Sequence, residues 1–412
     1  MSRLRHGVPL WLDQRAPKRR FPSHRGHLDV DVVIIGGGIT GAVCAYVFSA
    51  AGLEVALVES RRVGRGSTMA STALLMQEPD RDFADLARRF GTRAAGEIWR
   101  SLAGATRGLA RTIRALKIDC GLHACHSVYF TRDPRRLAGL RAEFNARRAA
   151  GARCRWLSSA ALYRFTGITA PAAIATPGNA EVNPVRACHG FLAAAVARGA
   201  RVFERSPAGK VTTSREGVTV QTNGGTIAAS VVVIATGYAR PRFERLGRFV
   251  LKDTYVVATR RLPARIRRQI PAFNPMAWDT DRPYHYLRWT EDGRLLVGGE
   301  DTNHRAVKGS RSRIARARAR LSSYLAELYP ELAAERPAYS WEGLFAETPD
   351  GLPYIGTHSR YPRHLFALGY GGNGMTASYL AAKLLLQRYR TLGRPPAAGS
   401  SLELFAFNRG RR

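Results

Sequence analysis

Two hydrophobic patterns alternate near the start of the chain. The apolar run at 32–35 predicts a buried strand, and small apolar residues at 42–48 predict a helix. A second apolar run, 55–58, ends in Glu59. Between the first strand and the helix stand Gly36, Gly37, Gly38, Ile39, Thr40 and Gly41. Strand, glycine turn, helix, strand and acid in this order predict a unit that binds the ADP half of a dinucleotide.

The glycines of this unit have separate physical roles. Gly36 allows the sharp turn off the strand, Gly38 lets a pyrophosphate approach the backbone, and Gly41 lets the helix pack closely on the sheet. The phosphates would lie at a helix N-terminus, where unpaired N–H groups favour negative charge. Glu59 follows Gly36 by 23 residues, near the ~20 typical of a carboxylate that binds ribose hydroxyls. An acid there disfavours NADP, and the motif leaves FAD and NAD open.

The rest of the chain predicts sheets of two kinds. Residues 250–310 alternate strongly between apolar and polar, which predicts a mainly antiparallel sheet. Elsewhere the pattern predicts a helical region, a hairpin, a buried strand, and a last strand followed by a glycine turn and a helix, at residues 80–117, 211–220, 231–237 and 365–389.

We therefore predict an α/β protein, α+β overall, with a Rossmann-like nucleotide-binding domain interleaved with a second, mainly antiparallel substrate domain. A chain of 412 residues is too long for one simple core. The predicted boundaries are a basic arm, 1–28; the nucleotide domain, 29–110, 155–245 and 340–395; the substrate domain, 111–154 and 246–339; and a basic tail, 396–412.

Composition narrows the functional classes. The chain has a net charge of +33, 45% hydrophobic residues and 5 cysteines. No apolar stretch approaches the ~20 residues that span a bilayer, and the basic segment 1–27 lacks the apolar core of a signal peptide. Sparse cysteines are typical of a reducing compartment, so we expect a cytoplasmic protein. Because the basic residues are spread along the chain, we expect no specific nucleic-acid partner and only weak association with anionic surfaces.

Four segments together resemble the FAD-dependent amino acid oxidase family, which includes glycine, sarcosine and D-amino-acid oxidases. They are residues 31–59, 66–75, 231–237 and 348–383, and they occur in the family's order along nearly the whole chain. The second is a loop of small and hydroxylic residues, and the last contains another glycine turn before a helix. The resemblance implies FAD as cofactor and a small amine or amino acid as substrate.

The resemblance also implies which residues hold FAD. Reduced flavin is anionic near N1 and O2, so a second helix N-terminus, at 372–376, would stabilise its pyrimidine edge. Arg61 and the loop at 67–72 would lie along the pyrophosphate, ribityl chain and ring, and Val211 would contact the adenine region through its backbone. The implied residues are Gly36, Gly38, Ile39, Thr40, Gly41, Glu59, Arg61, Ser67, Thr68, Ser71, Thr72, Val211, Ala235, Thr236, Gly237, Gly372, Asn373, Gly374, Met375 and Thr376.

Two departures from the family pattern bear on the chemistry. Some members attach flavin through a cysteine near the start of the last region, but residues 341–347 contain none, so we predict non-covalent FAD. Sarcosine-type oxidases carry a lysine beside the flavin that helps oxygen react, whereas the matching strand here, 294–298, is apolar in its middle. We therefore keep both oxygen and a quinone as acceptors, with dehydrogenase behaviour expected if this alignment holds.

In this family a substrate hydride passes to flavin N5, and the resulting imine is hydrolysed. The polar residues predicted to line the substrate pocket are Tyr255, Tyr284, Tyr286, Arg288 and His304, and an arginine could clamp a carboxylate through two hydrogen bonds. Tyr286, Arg288 and His304 are the candidate catalytic residues. Two alternatives stay open: an FAD dehydrogenase of a hydroxy acid or polyol with a quinone or protein acceptor, and a non-catalytic flavoprotein subunit.

The cysteines and histidines at 120–126 could suggest a metal site. Their spacing is not that of a standard paired site and no second half is evident. We predict no metal.

Overall fold

Two β-sheets organise the protein in the computed structural model, which describes residues 5–14, 19–239, 246, 249–270, 275–304 and 310–409. The strands are β1 (Arg5–His6), β2 (Gly26–Ile35), β3 (Val55–Val58), β4 (Leu74–Leu75), β5 (His123–Thr131), β6 (Arg155–Ser158), β7 (Ala172–Glu181), β8 (Arg201–Phe203), β9 (Ala208–Thr213), β10 (Val218–Thr222), β11 (Gly225–Gly237), β12 (Val250–Thr259), β13 (Met276–Asp279), β14 (Tyr286–Trp289), β15 (Leu295–Asn303), β16 (Pro337–Glu347), β17 (Tyr354–His358) and β18 (Tyr361–Leu368). The helices are α1 (Ile39–Ser49), α2 (Ser67–Ala70), α3 (Phe83–Phe90), α4 (Thr92–Ala115), α5 (Leu137–Ala149), α6 (Ser159–Thr166), α7 (Pro184–Val196), α8 (Ala264–Arg267), α9 (Ser310–Leu328), α10 (Gly374–Arg390) and α11 (Ser401–Leu404).

The smaller sheet has eight strands and is parallel in its centre. Its order is β17-β18-β11-β2-β3-β8, with the β9–β10 hairpin paired to β11. Neighbours from β18 to β8 run parallel, so the carboxyl ends of β2, β3, β11 and β18 meet at one edge. That edge is where open parallel sheets bind ligands.

Burial explains why β2 and β3, the strands of the predicted nucleotide-binding unit, contain unbroken apolar runs. Every residue of β3 is buried, and so is the end of β2 at 32–35, because helices cover one face and the β9–β10 hairpin the other. Helix α1 packs against both α7 and α10. It is therefore buried on nearly all sides, which small apolar residues allow.

The larger sheet has ten strands in the order β1-β16-β12-β15-β14-β13-β5-β7-β4, with β6 paired to β7. It is mainly antiparallel, as predicted, with parallel pairing between β1 and β16 and between β13 and β5. Helix α9 packs on β12 and β15 and closes the core on that side. The opposite side carries Trp11, Trp341 and Val185 of α7, so the two halves of the protein share a packed apolar layer.

Several predicted elements need correction. The helical region at 80–117 is two helices, α3 and α4, separated at Gly91, whose φ of +85° interrupts helical geometry. Strands β6, β7 and β16 belong to the larger sheet, although the predicted boundaries put 155–245 and most of β16 with the nucleotide domain. The remaining domain limits stay predictions; residues 1–4 and 15–18 of the arm and 410–412 of the tail lie outside the described residues.

Candidate active site

A single cavity of about 1240 Å³ runs from the glycine turn after β2 to the face of the larger sheet. Its walls come from the carboxyl ends of β2, β3 and β11, from α2, from β12, β15 and β16, and from the loop before α10. It exceeds the ~300–1,000 Å³ typical of one small ligand. The cavity therefore has room for a dinucleotide together with a substrate.

The glycine turn has no space for side chains. Gly36 has a φ of +111°, and a Cβ there would lie 2.5 Å from the carbonyl oxygen of Ala235. A Cβ on Gly41 would lie 1.9 Å from the Gly36 carbonyl oxygen. Gly38 is the N-cap of α1, and the first turn of that helix contains no acid. The helix N-terminus therefore faces the cavity with its positive end available to phosphates.

Glu59 lies at the end of β3 and organises both sides of the ADP end. Its Oε2 accepts a hydrogen bond from the Gly37 amide at 2.8 Å, and its Oε1 accepts from the Arg61 amide at 2.8 Å and from Ser60 Oγ at 3.1 Å. A carboxylate has about four acceptor positions, so one remains for a ribose hydroxyl.

The basic loop after Glu59 depends on a residue that the sequence did not reveal. Buried Glu204 accepts hydrogen bonds from Arg62 Nη1 at 2.8 Å and from the Val63 amide at 3.0 Å. With Arg62 held in this way, Arg61 and Arg65 line the ADP end of the cavity beside it. Three guanidinium groups at this end suit a pyrophosphate.

The loop at 66–73 is fixed by side chains from distant segments. Trp11 Nε1 donates to the Ser71 carbonyl at 2.8 Å, and Trp341 Nε1 donates to the Ala70 carbonyl at 2.9 Å. Arg288 Nη1 donates to the Thr72 carbonyl at 2.8 Å. The loop's backbone is thus rigidly placed along the cavity, where the resemblance puts the ribityl chain and ring.

Arg288 is a correction to the predicted catalytic set. It does not line the cavity; its Nε lies 3.0 Å from Glu181 Oε2, and both side chains are 4% exposed. Its Nη1 also donates to the Val182 carbonyl at 2.9 Å. Burial raises the pKa of Glu181 to about 7, and the neighbouring Arg288 opposes that rise. The buried bonds of Arg288 to the Thr72 and Val182 carbonyls, away from the cavity, indicate that it positions the 70–73 loop.

His304 and Tyr255 also lie outside the cavity lining. His304 Nδ1 is 2.7 Å from Asp253 Oδ1 near the end of the larger sheet. Tyr255 is 5% exposed and packs in the core beneath α9. Tyr255 lies on β12, as the alternation predicted, but its side chain meets the core. His304 follows the last residue of β15, and its side chain meets the surface.

Tyr284 and Tyr286 do line the cavity, with ring centroids 5.9 Å apart. The hydroxyls of Tyr286 and Thr254 are 3.1 Å apart, and Thr254 is also hydrogen-bonded to the Asp301 carboxylate. Because an ionised carboxylate only accepts, Thr254 donates to Asp301 and Tyr286 donates to Thr254. Burial raises the pKa of both tyrosines, so they stay neutral phenols.

The acid Asp80, which was not among the predicted site residues, lies at the N-terminus of α10. Asp80 Oδ2 accepts from the Gly372 amide at 2.6 Å, and Asp80 Oδ1 accepts from Asn373 Nδ2 at 2.8 Å. Although its side chain is open to the cavity, loss of bulk hydration raises the pKa of Asp80 to about 7, with nearby Glu347 adding to the rise. The predicted positive pole at 372–376 is therefore partly offset by a carboxylate when Asp80 is ionised.

Most of the residues implied for FAD come together in the cavity wall, and three do not. Gly41 and Thr376 lie just behind the cavity wall. Gly41 permits the close contact of α1 with the glycine turn, and Thr376 Oγ1 is 3.3 Å from Thr106 Oγ1. Val211 is also outside the lining, and residues 207–209 line the cavity in its place. The register of the hairpin puts Val211 opposite Val220, so it faces the sheet. The predicted residues that do line the cavity are Gly36, Gly38, Ile39, Thr40, Glu59, Arg61, Ser67, Thr68, Ser71, Thr72, Ala235, Thr236, Gly237, Gly372, Asn373, Gly374 and Met375.

Lys252 of β12 also lines the cavity, although the strand at 294–298 offered no lysine. Its Nζ lies 3.5 Å from Glu347 Oε2. β12 pairs with β16, and Lys252 stands opposite Phe345 in that register. The strand at 294–298 lacks a lysine, as the sequence shows, and the lysine of the cavity wall comes from the neighbouring strand β12.

The structure fits FAD at each point that it tests. The turn has no room for a Cβ on Gly36 or Gly41. A helix N-terminus and guanidinium groups face the phosphate region, and Glu59 keeps one acceptor position for a ribose hydroxyl. The family model of the FAD dependent oxidoreductases, DAO, matches residues 31–388. The chain belongs to this family and is an FAD-dependent oxidoreductase of the amine and amino-acid oxidase type.

Relatives and solved structures agree with this assignment. The chain is 25% identical to gamma-glutamylputrescine oxidoreductase of Escherichia coli (strain K12) over 401 residues, which are 95% of this chain and 91% of that protein. It is 28% identical to glycine oxidase of Bacillus licheniformis over 357 residues, 84% and 89% of the two chains. The glycine oxidase structure from Geobacillus kaustophilus superimposes with a TM-score of 0.78 at 22% identity, covering 93% of this chain and 99% of the other.

In the part of the chain that the structure describes, no helix is both long enough and apolar enough to cross a bilayer.

Proposed function

We propose that the protein oxidises the C–N bond of a small amine or amino acid, with non-covalently bound FAD as the hydride acceptor. The observation that carries this proposal is the single cavity, which joins the glycine turn after β2 to the tyrosine pair Tyr284 and Tyr286 on the larger sheet. One end suits ADP, and the other offers a chamber of aromatic and ionisable groups. A chamber of this kind suits a small polar substrate.

Bound FAD supplies the acceptor for a substrate hydride at flavin N5; the imine then hydrolyses. The protein's residues bind and orient. Tyr286, Thr254 and Asp301 form a hydrogen-bonded row along the chamber wall. Tyr284 and Tyr286 cover one face of the chamber; the Tyr284 hydroxyl can donate to the substrate, whereas the single O–H of Tyr286 is given to Thr254.

Two finer parts of the proposal rest on the lining. No cysteine or histidine lines the cavity among the described residues, which supports non-covalent attachment. Lys252 in the wall supports oxygen as acceptor, with a quinone as the alternative. The cytoplasmic location also belongs to the proposal, supported by five free cysteines, all buried.

An anaerobic reduction screen tests the proposal. The purified protein should contain flavin that trichloroacetic acid releases, and an amine or amino acid should bleach its absorbance near ~450 nm through transfer of two electrons to the cofactor. Bleaching by hydroxy acids or polyols alone would instead establish the alternative dehydrogenase. Bleaching by none of these compounds would indicate a flavoprotein subunit without this activity, and a protein that binds no flavin would overturn the proposal entirely.

A further inference from the structure

The charge of the cavity changes sign along its length. The ADP end is lined by Arg61, Arg62 and Arg65 with one acid, Glu59. The chamber at the other end is lined by five carboxylates, although the whole chain has a net charge of +33. These chamber acids are Asp80, Asp82, Asp279, Asp301 and Glu347.

Three of the four cations that line the chamber, Arg81, Arg147 and Lys252, lie in ion pairs with carboxylates of the protein, and the fourth, Arg282, is hydrogen-bonded to the backbone. Arg81 Nη2 and Lys252 Nζ both lie beside Glu347, at 3.0 and 3.5 Å. Arg147 Nε donates to Glu143 at 2.7 Å, and Arg282 Nη1 donates to the Asp281 carbonyl at 2.8 Å. A substrate carboxylate in this chamber would have to compete with these partners.

Asp80 and Asp301 have no cation at ion-pair distance among the described residues, although Arg81 lowers the pKa of Asp80 and Lys252 lowers the pKa of Asp301 from further away. Within the described residues, no lysine or arginine nitrogen forms an ion pair with either carboxylate. Asp301 Oδ1 is buried without a hydrogen-bond partner, which is costly for a carboxylate oxygen unless a ligand supplies the donor. Nearby Asp301 raises the pKa of Asp80, and both acids share this wall with the tyrosine rings at 284 and 286.

We propose that the chamber binds its substrate as a cationic amine that carries no carboxylate on the reacting carbon. An ammonium group beside Asp80 and Asp301 would supply the missing positive charge, and the faces of Tyr284 and Tyr286 favour a cation as well. An α-amino acid would bring its own carboxylate against the same wall, where repulsion opposes binding. This inference rests on the proposed function and narrows its substrate from amines and amino acids to amines.

The bound ammonium must give up one proton before it can form an imine. The chamber carboxylates are the available acceptors: an N–H bond of the substrate breaks, an O–H bond forms on a carboxylate, and no electrons pass between substrate and protein in this step. The neutral amine then has the lone pair that the departing hydride requires.

The test compares amines with their own α-carboxylated forms on the flavin-loaded enzyme. Butylamine is paired with 2-aminopentanoate, and benzylamine with phenylglycine, under anaerobic conditions. We expect at least one amine to reduce the flavin about ten- to hundredfold more efficiently than its partner, the range expected for a charge-assisted hydrogen bond. Equal or faster reduction by the amino acids would overturn the inference and leave the proposed function standing. If no amine and no amino acid reduces the flavin, the proposed function fails first.

Variants and a binding measurement test whether Asp301 causes the preference for amines. Asp301→Asn should lower the amine's efficiency about ten- to hundredfold and shrink its advantage over the amino acid. Asp85→Asn, an exposed acid on α3, should change neither. Tetramethylammonium, which cannot be oxidised, should perturb the wild-type flavin spectrum where acetate does not. An unchanged preference for the amine over the amino acid in Asp301→Asn would contradict the inference. A response of the flavin spectrum to acetate but not to tetramethylammonium would contradict it as well. If the variant does not fold, the comparisons on the wild-type enzyme decide.

Discussion

Replacing Arg288 with methionine tests whether this arginine positions the 70–73 loop or takes part in catalysis. The change removes the 3.0 Å ion pair with Glu181 and the Nη1 hydrogen bonds to the carbonyls of Thr72 and Val182. Both charged side chains are 4% exposed, and removing one partner of a buried pair costs about 3–5 kcal/mol. Unfolding entropy of about 2.1 cal/mol/K per residue gives about 0.9 kcal/mol/K for 412 residues. We therefore expect Tm to fall by roughly 3–6 °C.

The assay is thermal unfolding of the flavin-loaded protein, together with anaerobic flavin reduction. The double variant Glu181→Leu/Arg288→Met should recover part of the lost stability, because it leaves no uncompensated buried charge. Arg135→Met, which breaks an exposed pair with Asp133, is the matched control and should leave Tm nearly unchanged, because solvent screens exposed ion pairs. An unchanged Tm in Arg288→Met combined with abolished flavin reduction would contradict the positioning role and return this arginine to the substrate.

Three further predictions follow from the cavity. Gly36→Ala should lose flavin, measured as the ratio of flavin to protein after purification, because φ is +111° and the Cβ meets backbone; Gly104→Ala, on the exposed face of α4 with open space around its Cβ, should retain it. The KM for a cationic amine should rise as pH falls, because Asp80 and Asp301 have raised pKa values of about 7 and 6 and become neutral below them. In Asp301→Asn the rise near pH 6 should disappear, and a flat wild-type profile between pH 8 and 5 would contradict the role of these acids. Lys252→Met should slow reoxidation of reduced flavin by oxygen about tenfold or more, with quinone reduction little changed, as stopped-flow reoxidation with each acceptor would show. Equal slowing by both acceptors would indicate a general distortion of the site.

Local backbone demands explain what the sequence predicted well. A turn with φ of +111° at Gly36 and a helix packed directly on it at Gly41 require glycine, so these positions can be recognised without knowing the rest of the fold. The continuous apolar runs of β2 and β3 likewise report burial on both faces, which in a sheet of this length means parallel strands under helices.

The substrate chamber shows where local pattern stops being informative. Tyr286 and Arg288 lie two residues apart on β14, so alternation correctly puts their side chains on one face. At Tyr286 this face meets the cavity. At Arg288 the same face meets Glu181 and the buried 70–73 loop. Periodicity gives the face of a strand, but it does not say what that face meets along its length.

By itself, the sequence determined the nucleotide-binding turn, the two kinds of sheet and the FAD-dependent family, because each depends on residues close together in the chain or on the order of whole segments. Tertiary structure alone decided the character of the chamber. Asp80 meets Gly372 across 292 positions, and Asp301 meets Thr254 and Tyr286 only when three strands pair. Charges from distant segments set the electrostatics of an enclosed site, and no local pattern records which of them will converge.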